Sequence, residues 1–277
     1  MARTRNALKR QKVATVESAL FNPDVVFLLA TLLDARDLCQ VTLTCQAMGG
    51  KQAEYNGLSL AEDAAKRQFE RASVWERSCL PKYDDEGWIE LYHHLLMLRS
   101  KLTFDQLVGS NIQYGDDQST VRYAGLWTSS SALCSNHVMR AGRHFALFTG
   151  KGGIGVIRPV QINVADEFSP TMSMFWDYLR AKRTDRWGDS NVHCCTVDAA
   201  GRFRWNDWTS YQPTSGIDGF QYGAPIGLLL DLDEGTLSLY QNGQMLATLN
   251  DGLSGEHCWY FSSGASVSIE RGSAPEE

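Results

Sequence analysis

The sequence predicts a two-part α+β chain, with helices over the first hundred residues and β structure beyond them. Three observations carry that reading. Dividing 277 residues by about 150 per domain gives roughly two cores. Apolar residues recur at helical spacing up to about residue 100. After Lys101 glycine becomes frequent, and short β-branched or aromatic segments alternate with turn clusters. Hydrophobic residues at 43% and charged residues at 21% exclude wholesale disorder and collagen-like or coiled-coil repeats.

Pro23 opens the first predicted helix, which runs to Leu33 and is apolar nearly all round; proline at a first turn forfeits no hydrogen bond. Asp34 is placed to cap a second helix, with Asp37 three positions on and Leu38, Val41 and Cys45 at helical spacing until Gly49-Gly50. Ser59 with Glu62 reads as a capping box before a third helix whose stripe is Ala61, Ala65, Phe69 and Ala72. A fourth helix begins near Trp88, with Trp88, Leu91, Leu95 and Leu98 on one face.

In the β part, Ile226 to Leu232, Thr236 to Tyr240 and Met245 to Leu249 read as three strands joined by turns at Asp233-Glu234-Gly235 and Asn242-Gly243. Asn-Gly supplies the positive φ values of a type I′ turn. Leu237 and Leu239 share one face and Ser238 and Tyr240 the other, which predicts a half-buried strand.

Charge and cysteine content narrow the function classes. The first sixteen residues carry five basic and no acidic side chains, leaving 21 basic against 32 acidic, a balance of −11. A body so acidic argues against nucleic-acid binding, which needs a basic face. Residues 1–17 read as a basic flexible tail in preference to a nuclear-import or transit segment, and 273–277 as a second tail. The longest nearly apolar stretch, Val25 to Leu33, is too short for a bilayer span of about twenty residues, so no membrane is expected. No secretory h-region precedes it, and seven cysteines without a CxxC suit reduced thiols. The expected location is cytoplasmic and/or nuclear.

Two resemblances add to this reading. Ile226 to Gly243, containing Leu-Asp-Leu-Asp-Glu-Gly-Thr-Leu-Ser-Leu-Tyr-Gln-Asn-Gly, resembles the meander of the SPRY domain. His137 to Phe148 is similar to the family's Gly-Arg/Lys-His-Tyr strand, Gly153 to Ile157 to its Val-Gly-Val strand, and Val267-Ser-Ile to its closing strand. The likeness spans about residues 105–272 and implies a bent antiparallel β-sandwich that binds a protein or peptide without catalysis. Residues 18–100 are assigned to a helical domain in which Pro23 to Cys45 resembles an F-box, the motif that docks a Skp-type linker of cullin-RING ubiquitin ligases. Asn22 stands where that family has Leu, and Met48-Gly49-Gly50 replaces its usual Trp. The motif carries over to Pro23, Val25, Leu32, Leu38, Val41 and Cys45 as linker-facing or motif-core positions. Together the resemblances imply a substrate-recognition adaptor with Skp-type linker and cullin as partners; the alternative is a SPRY-based binding scaffold unrelated to ubiquitin ligation.

The chemistry-bearing residues give no catalytic, metal or cofactor site. His193-Cys194-Cys195 lacks a second ligand pair, and alternation sends the two thiols to opposite faces of a strand. His93 and His94 diverge on a helix and are expected on its polar face. Asp231, Asp233 and Glu234 read as turn residues, and Gly150-Lys-Gly-Gly-Ile-Gly as a hairpin loop, since no Walker-type Gly-Lys-Ser/Thr follows. The partner-binding expectation falls on loop-like sequence holding Arg183, Asp185, Trp187 and Asp189, then Arg204, Trp205, Trp208 and Tyr211. Trp, Tyr and Arg dominate binding hot spots.

Overall fold

The computed structural model describes residues 23–51, 53–109, 111–123, 130–162, 172–190, 192–208, 211–250 and 252–273. The basic tail at 1–17 and the last four residues lie outside them. The chain divides into two compact units, Met1–Arg77 with Lys82–Leu96, and Ser78–Pro81 with Met97–Glu277.

The first unit is helical. α1 (Pro23–Ala30) ends three residues short of the expected Leu33, because Thr31 to Leu33 form a turn into Asp34. There the Asp34 carboxylate accepts the Asp37 N–H at 2.8 Å and starts α2 (Ala35–Thr44). The short α3 (Gln46–Gly49) follows, and all three pack against α4 (Leu60–Glu70). Ala61, Ala65, Phe69 and Ala72 are buried, as their stripe predicted. The capping box forms by half. Ser59 Oγ accepts the Glu62 N–H at 3.2 Å, but the Glu62 carboxylate accepts the Trp88 N–H at 2.5 Å instead of reaching back. The first N–H groups of α6 (Trp88–Arg99) have no acceptor within their own helix, so Glu62 serves that end. Before it comes α5 (Val74–Cys79); Leu91, Leu95 and Leu98 are buried on α6.

Among the described residues the second unit is built on twelve antiparallel strands: β1 (Gln106–Val108), β2 (Ile112–Tyr114), β3 (Thr120–Tyr123), β4 (Ser131–Leu133), β5 (Arg143–Ile157), β6 (Val192–Val197), β7 (Arg202–Asp207), β8 (Tyr211–Gly216), β9 (Ile226–Asp231), β10 (Thr236–Gln241), β11 (Gln244–Asn250) and β12 (Cys258–Arg271). The long strands β5 and β12 pair along their lengths, from Ala146↔Arg271 to Ile157↔Cys258. Each serves two layers. One layer runs β11-β10-β9, the first half of β5, the second half of β12, β3 and β2. The other runs β8-β7-β6, the second half of β5, the first half of β12, β4 and β1.

This arrangement corrects the expectation for Gly150 to Gly155. They form no hairpin loop: they lie inside β5, where it passes from one layer to the other beside register shifts at Ser262/Gly264 and Gly264/Ser266. Strands change sheet at such bulges, and backbone there comes too close for side chains. A Cβ at Gly155 would lie 1.9 Å from Cys195 O, and one at Gly150, where φ is +135°, 2.1 Å from Ser266 O.

Between the layers lies one core that includes Ala146, Phe148, Leu228, Leu230, Leu237 and Leu239 from the first and Val156, Cys195, Phe203 and Phe261 from the second. Inward residues alternate with outward ones, as a sandwich requires. β10 departs from the half-buried expectation, since Ser238 and Tyr240 are buried as well. The Phe145 ring meets Tyr240 edge-on at 6.0 Å and covers that outer face.

The unit is also not purely β. Helix α7 (Met172–Ala181) and a 3₁₀ turn at Asp185–Trp187 interrupt it. Leu179 and Trp187 close a second apolar cluster with Val108, Leu133, Ile157, Cys194 and Tyr260, on the outer face of the second layer. No helix among the described residues is long and apolar enough to cross a membrane.

Candidate functional site

Two surfaces collect the predicted residues. Val25, Leu28 and Leu29 on α1 and Leu32 in the turn after it are spaced i, i+3, i+4, i+7, and all four are exposed, Leu28 by 63% and Leu32 by 76%. The opposite side turns inward. Ala30 is buried, and Phe27 stacks on Tyr55 at 6.5 Å with the Arg67 guanidinium 4.3 Å over its ring. On α2, Leu43 is 77% exposed, whereas Leu38 is wholly buried and Val41 and Cys45 are half-buried. Leu38, closed to solvent by its burial, is therefore a motif-core position and not a linker-facing one. Pro23 begins α1, and its side chain is outside those described. Leu28, Leu29 and Leu43 are additional to the positions expected from the sequence; the first helix is apolar nearly all round, so its pattern does not say which side faces solvent.

The second surface surrounds Trp208. Its ring stacks on Trp187 at 5.9 Å with 6° between planes, and on His193 at 4.7 Å. The Arg183 guanidinium lies 4.9 Å over it, and Arg180 donates to its carbonyl. Trp187 is only 2% exposed, so it is a core side chain and not a surface anchor. A Cβ at Gly255 would lie 2.3 Å from the Trp187 backbone, which shows how closely the loop before β12 covers it. Asp185 and Asp189 are exposed on either side.

Arg204 and Trp205 stand on strand β7 and not in a loop, and alternation separates them. Trp205 packs on the main core, opposite Cys195, while Arg204 reaches Asp198 at 3.0 Å on the outer face. Tyr211 opens β8 opposite Asn206; its side chain is outside those described. The fold thus gathers Arg183, Trp187 and Trp208, with His193 and Arg180 added, and leaves Arg204 and Trp205 elsewhere.

The remaining chemistry is accounted for locally. Cys194 and Cys195 lie in different apolar clusters, as alternation predicted, and burial pushes the Cys194 thiol up to about 12 and Cys195 well above its ordinary value. Such thiols stay protonated and are poor nucleophiles. All seven cysteines are unbridged. Asp231 accepts the N–H groups of Asp233 and Glu234 at 3.1 and 3.0 Å, and Asp233 accepts that of Gly142 at 2.9 Å, so these acids build the turn. His94, expected on a polar face, comes 3.9 Å from the buried Glu86 carboxylate. With Glu90 these residues bring ligand atoms within 4.8 Å of one another, a set that could hold a divalent cation but falls short of four ligands.

No family model matches the chain, and no curated protein does. Among solved structures the chain is similar to the SPRY domain of human HERC1, at 16% identity and a TM-score of 0.39, over 60% of this chain and 98% of that one. It is also similar to the PSpry domain of TRIM65, at 14% identity and a TM-score of 0.37, over 60% of this chain and 87% of that one.

Proposed function

We propose that the chain is a non-catalytic interaction protein, in which a SPRY-type sandwich over residues 105–272 holds a target protein or peptide and the helical part docks a Skp-type linker of a cullin-RING ubiquitin ligase. The adaptor breaks no bond. It raises the effective concentration of the target beside a ubiquitin-loaded enzyme, as a two-site tether does.

The observation that carries the ligase half is an apolar surface at α1: Val25, Leu28 and Leu29 on the helix and Leu32 in the turn after it are exposed to solvent, although the same helix buries Ala30. Contiguous apolar surface of this kind marks a partner site, and it falls within the segment that resembles an F-box. The recognition half is supported by the meeting of the SPRY-like segments in one register. Arg143–Phe148 pairs with Ile226–Asp231, the same strand continues through Gly153–Ile157, and Val267–Ile269 pairs with Phe148–Gly150.

The test is capture of a purified Skp-type linker and cullin by the full-length protein and by a Leu28→Asp, Leu32→Asp variant with an unchanged melting curve. Two lost anchors should weaken capture by about 100-fold or more. If a well-folded wild type captures neither, the ligase half is wrong and a SPRY-based binding scaffold remains.

A further inference from the structure

Between Arg180 and Arg186 the chain places Arg180, Lys182, Arg183 and Arg186, in a body whose charge balance beyond the first sixteen residues is −11. The fold holds two of these cations outward on aromatic faces. Lys182 Nζ lies 5.5 Å from the centre of the Tyr178 ring, and Arg183 Cζ 4.9 Å from that of Trp208. Both residues are exposed, and among the described residues neither is in a salt bridge, whereas neighbouring Arg180 pairs with Asp177 at 3.4 Å. Arg183 also donates from Nη2 to Gly188 O at 3.4 Å, which fixes the guanidinium in place.

A further cation lies beneath. Arg158 is wholly buried and donates to three carbonyls, those of Ser254 at 2.6 Å and of Glu256 and Val192 at 3.0 Å. Burial, then Arg183, lowers Arg158 to about 9 against an opposing pull from Glu256, and burial, then Arg158 and Arg180, lowers His193 to about 4 against an opposing pull from Asp207.

We propose that the Lys182, Arg183 and Trp208 surface binds an acidic segment of the target, with one carboxylate bridged by the Arg183 guanidinium and a second paired with Lys182. This rests on the protein-binding reading above and names the chemistry of its ligand. A stacked guanidinium keeps its in-plane N–H fork for a carboxylate, and cations already ordered lose less side-chain entropy on binding. Asp185 and Asp189 are exposed on the same loop. A continuous phosphate backbone would meet those carboxylates as well, whereas a peptide can set acidic residues against Lys182 and Arg183 and neutral or basic ones against the aspartates.

The experiment selects a random peptide library on the full-length protein and measures a synthetic version of the strongest binder against wild type, a Lys182→Gln, Arg183→Gln variant and an Arg122→Gln control. Arg122 is an exposed arginine on β3, 3.7 Å from Asp116. The expected result is enrichment of Asp- or Glu-containing peptides whose affinity falls by roughly tenfold or more in the double variant, falls with added salt, and is unchanged in the control. Enrichment of peptides without an acidic position, equal binding to the double variant, no enrichment, or tighter binding of a single-stranded RNA of equal charge would each overturn it. Peptides that lack acids and still bind the double variant would leave the protein-binding reading standing while removing this one.

Discussion

The two units use their large apolar side chains in opposite ways. α1 and the turn after it present Val25, Leu28, Leu29 and Leu32 to water, while the Asp185–Trp187 turn drives Trp187 into an apolar cluster and leaves charge outside. Hot-spot residue types in loop-like sequence suggested the reverse emphasis. The difference teaches that residue type alone does not mark a binding surface: a tryptophan beside glycine-rich backbone becomes a plug, and a leucine on a short helix that is apolar nearly all round stays outside.

The sharpest way to break this comparison is Trp187→Ala. A buried tryptophan truncated to alanine should cost about 3–5 kcal/mol by denaturant titration, whereas Arg183→Gln should change stability by less than about 0.5 kcal/mol. Equal, small effects for both would put Trp187 on the surface. The next contrast lies between α1 and α2. Leu38→Ala should destabilise by about 2–5 kcal/mol, and Leu32→Ala, at an exposed position, by less than about 0.5 kcal/mol; unfolding curves that coincide would refute the inward assignment of Leu38.

Acid should weaken the β unit through its buried histidines. Burial lowers His137 to about 3 and His144 and His193 to about 4, below their ordinary 6.5. Between those values and 6.5 the unfolded chain binds protons that the folded one does not, so stability is fully present above pH 6.5 and is lost as pH falls toward 4. The slope is on the order of 1 kcal/mol per pH unit per histidine. Denaturant titrations at successive pH values should show it, and His144→Asn should flatten it; an unchanged slope would remove His144 as a source. The smallest effect is expected at Asp34→Ala, where loss of the α2 cap should cost about 1 kcal/mol, read from the melting temperature.

Much of the fold was legible because it follows from local rules. Asp34 before Ala35, Ser59 before Leu60 and Asn242-Gly243 between two strands each act over three or four residues, and each forms as expected. Gly150 to Gly155 misled because a glycine run suits a loop and a layer-changing bulge equally well. Glu62 misled because its carboxylate accepts the N–H of Trp88, 26 residues away. Arg204 and Trp205 sit in a strand whose alternation was readable, but the pairing with β6 that sends one inward and one outward was not.

The sequence by itself determined the helix stripes, the hairpins, the split into a helical and a β part, and the opposite faces of Cys194 and Cys195, since those depend on backbone periods of 3.6 and 2. Only the tertiary structure decided that β5 and β12 pass between layers, that Leu38 is buried while Leu32 is not, and that Arg183 stacks on Trp208. Those outcomes depend on which distant segments share one packed interior, and interiors are close-packed, so placing any one side chain requires knowing all its neighbours at once.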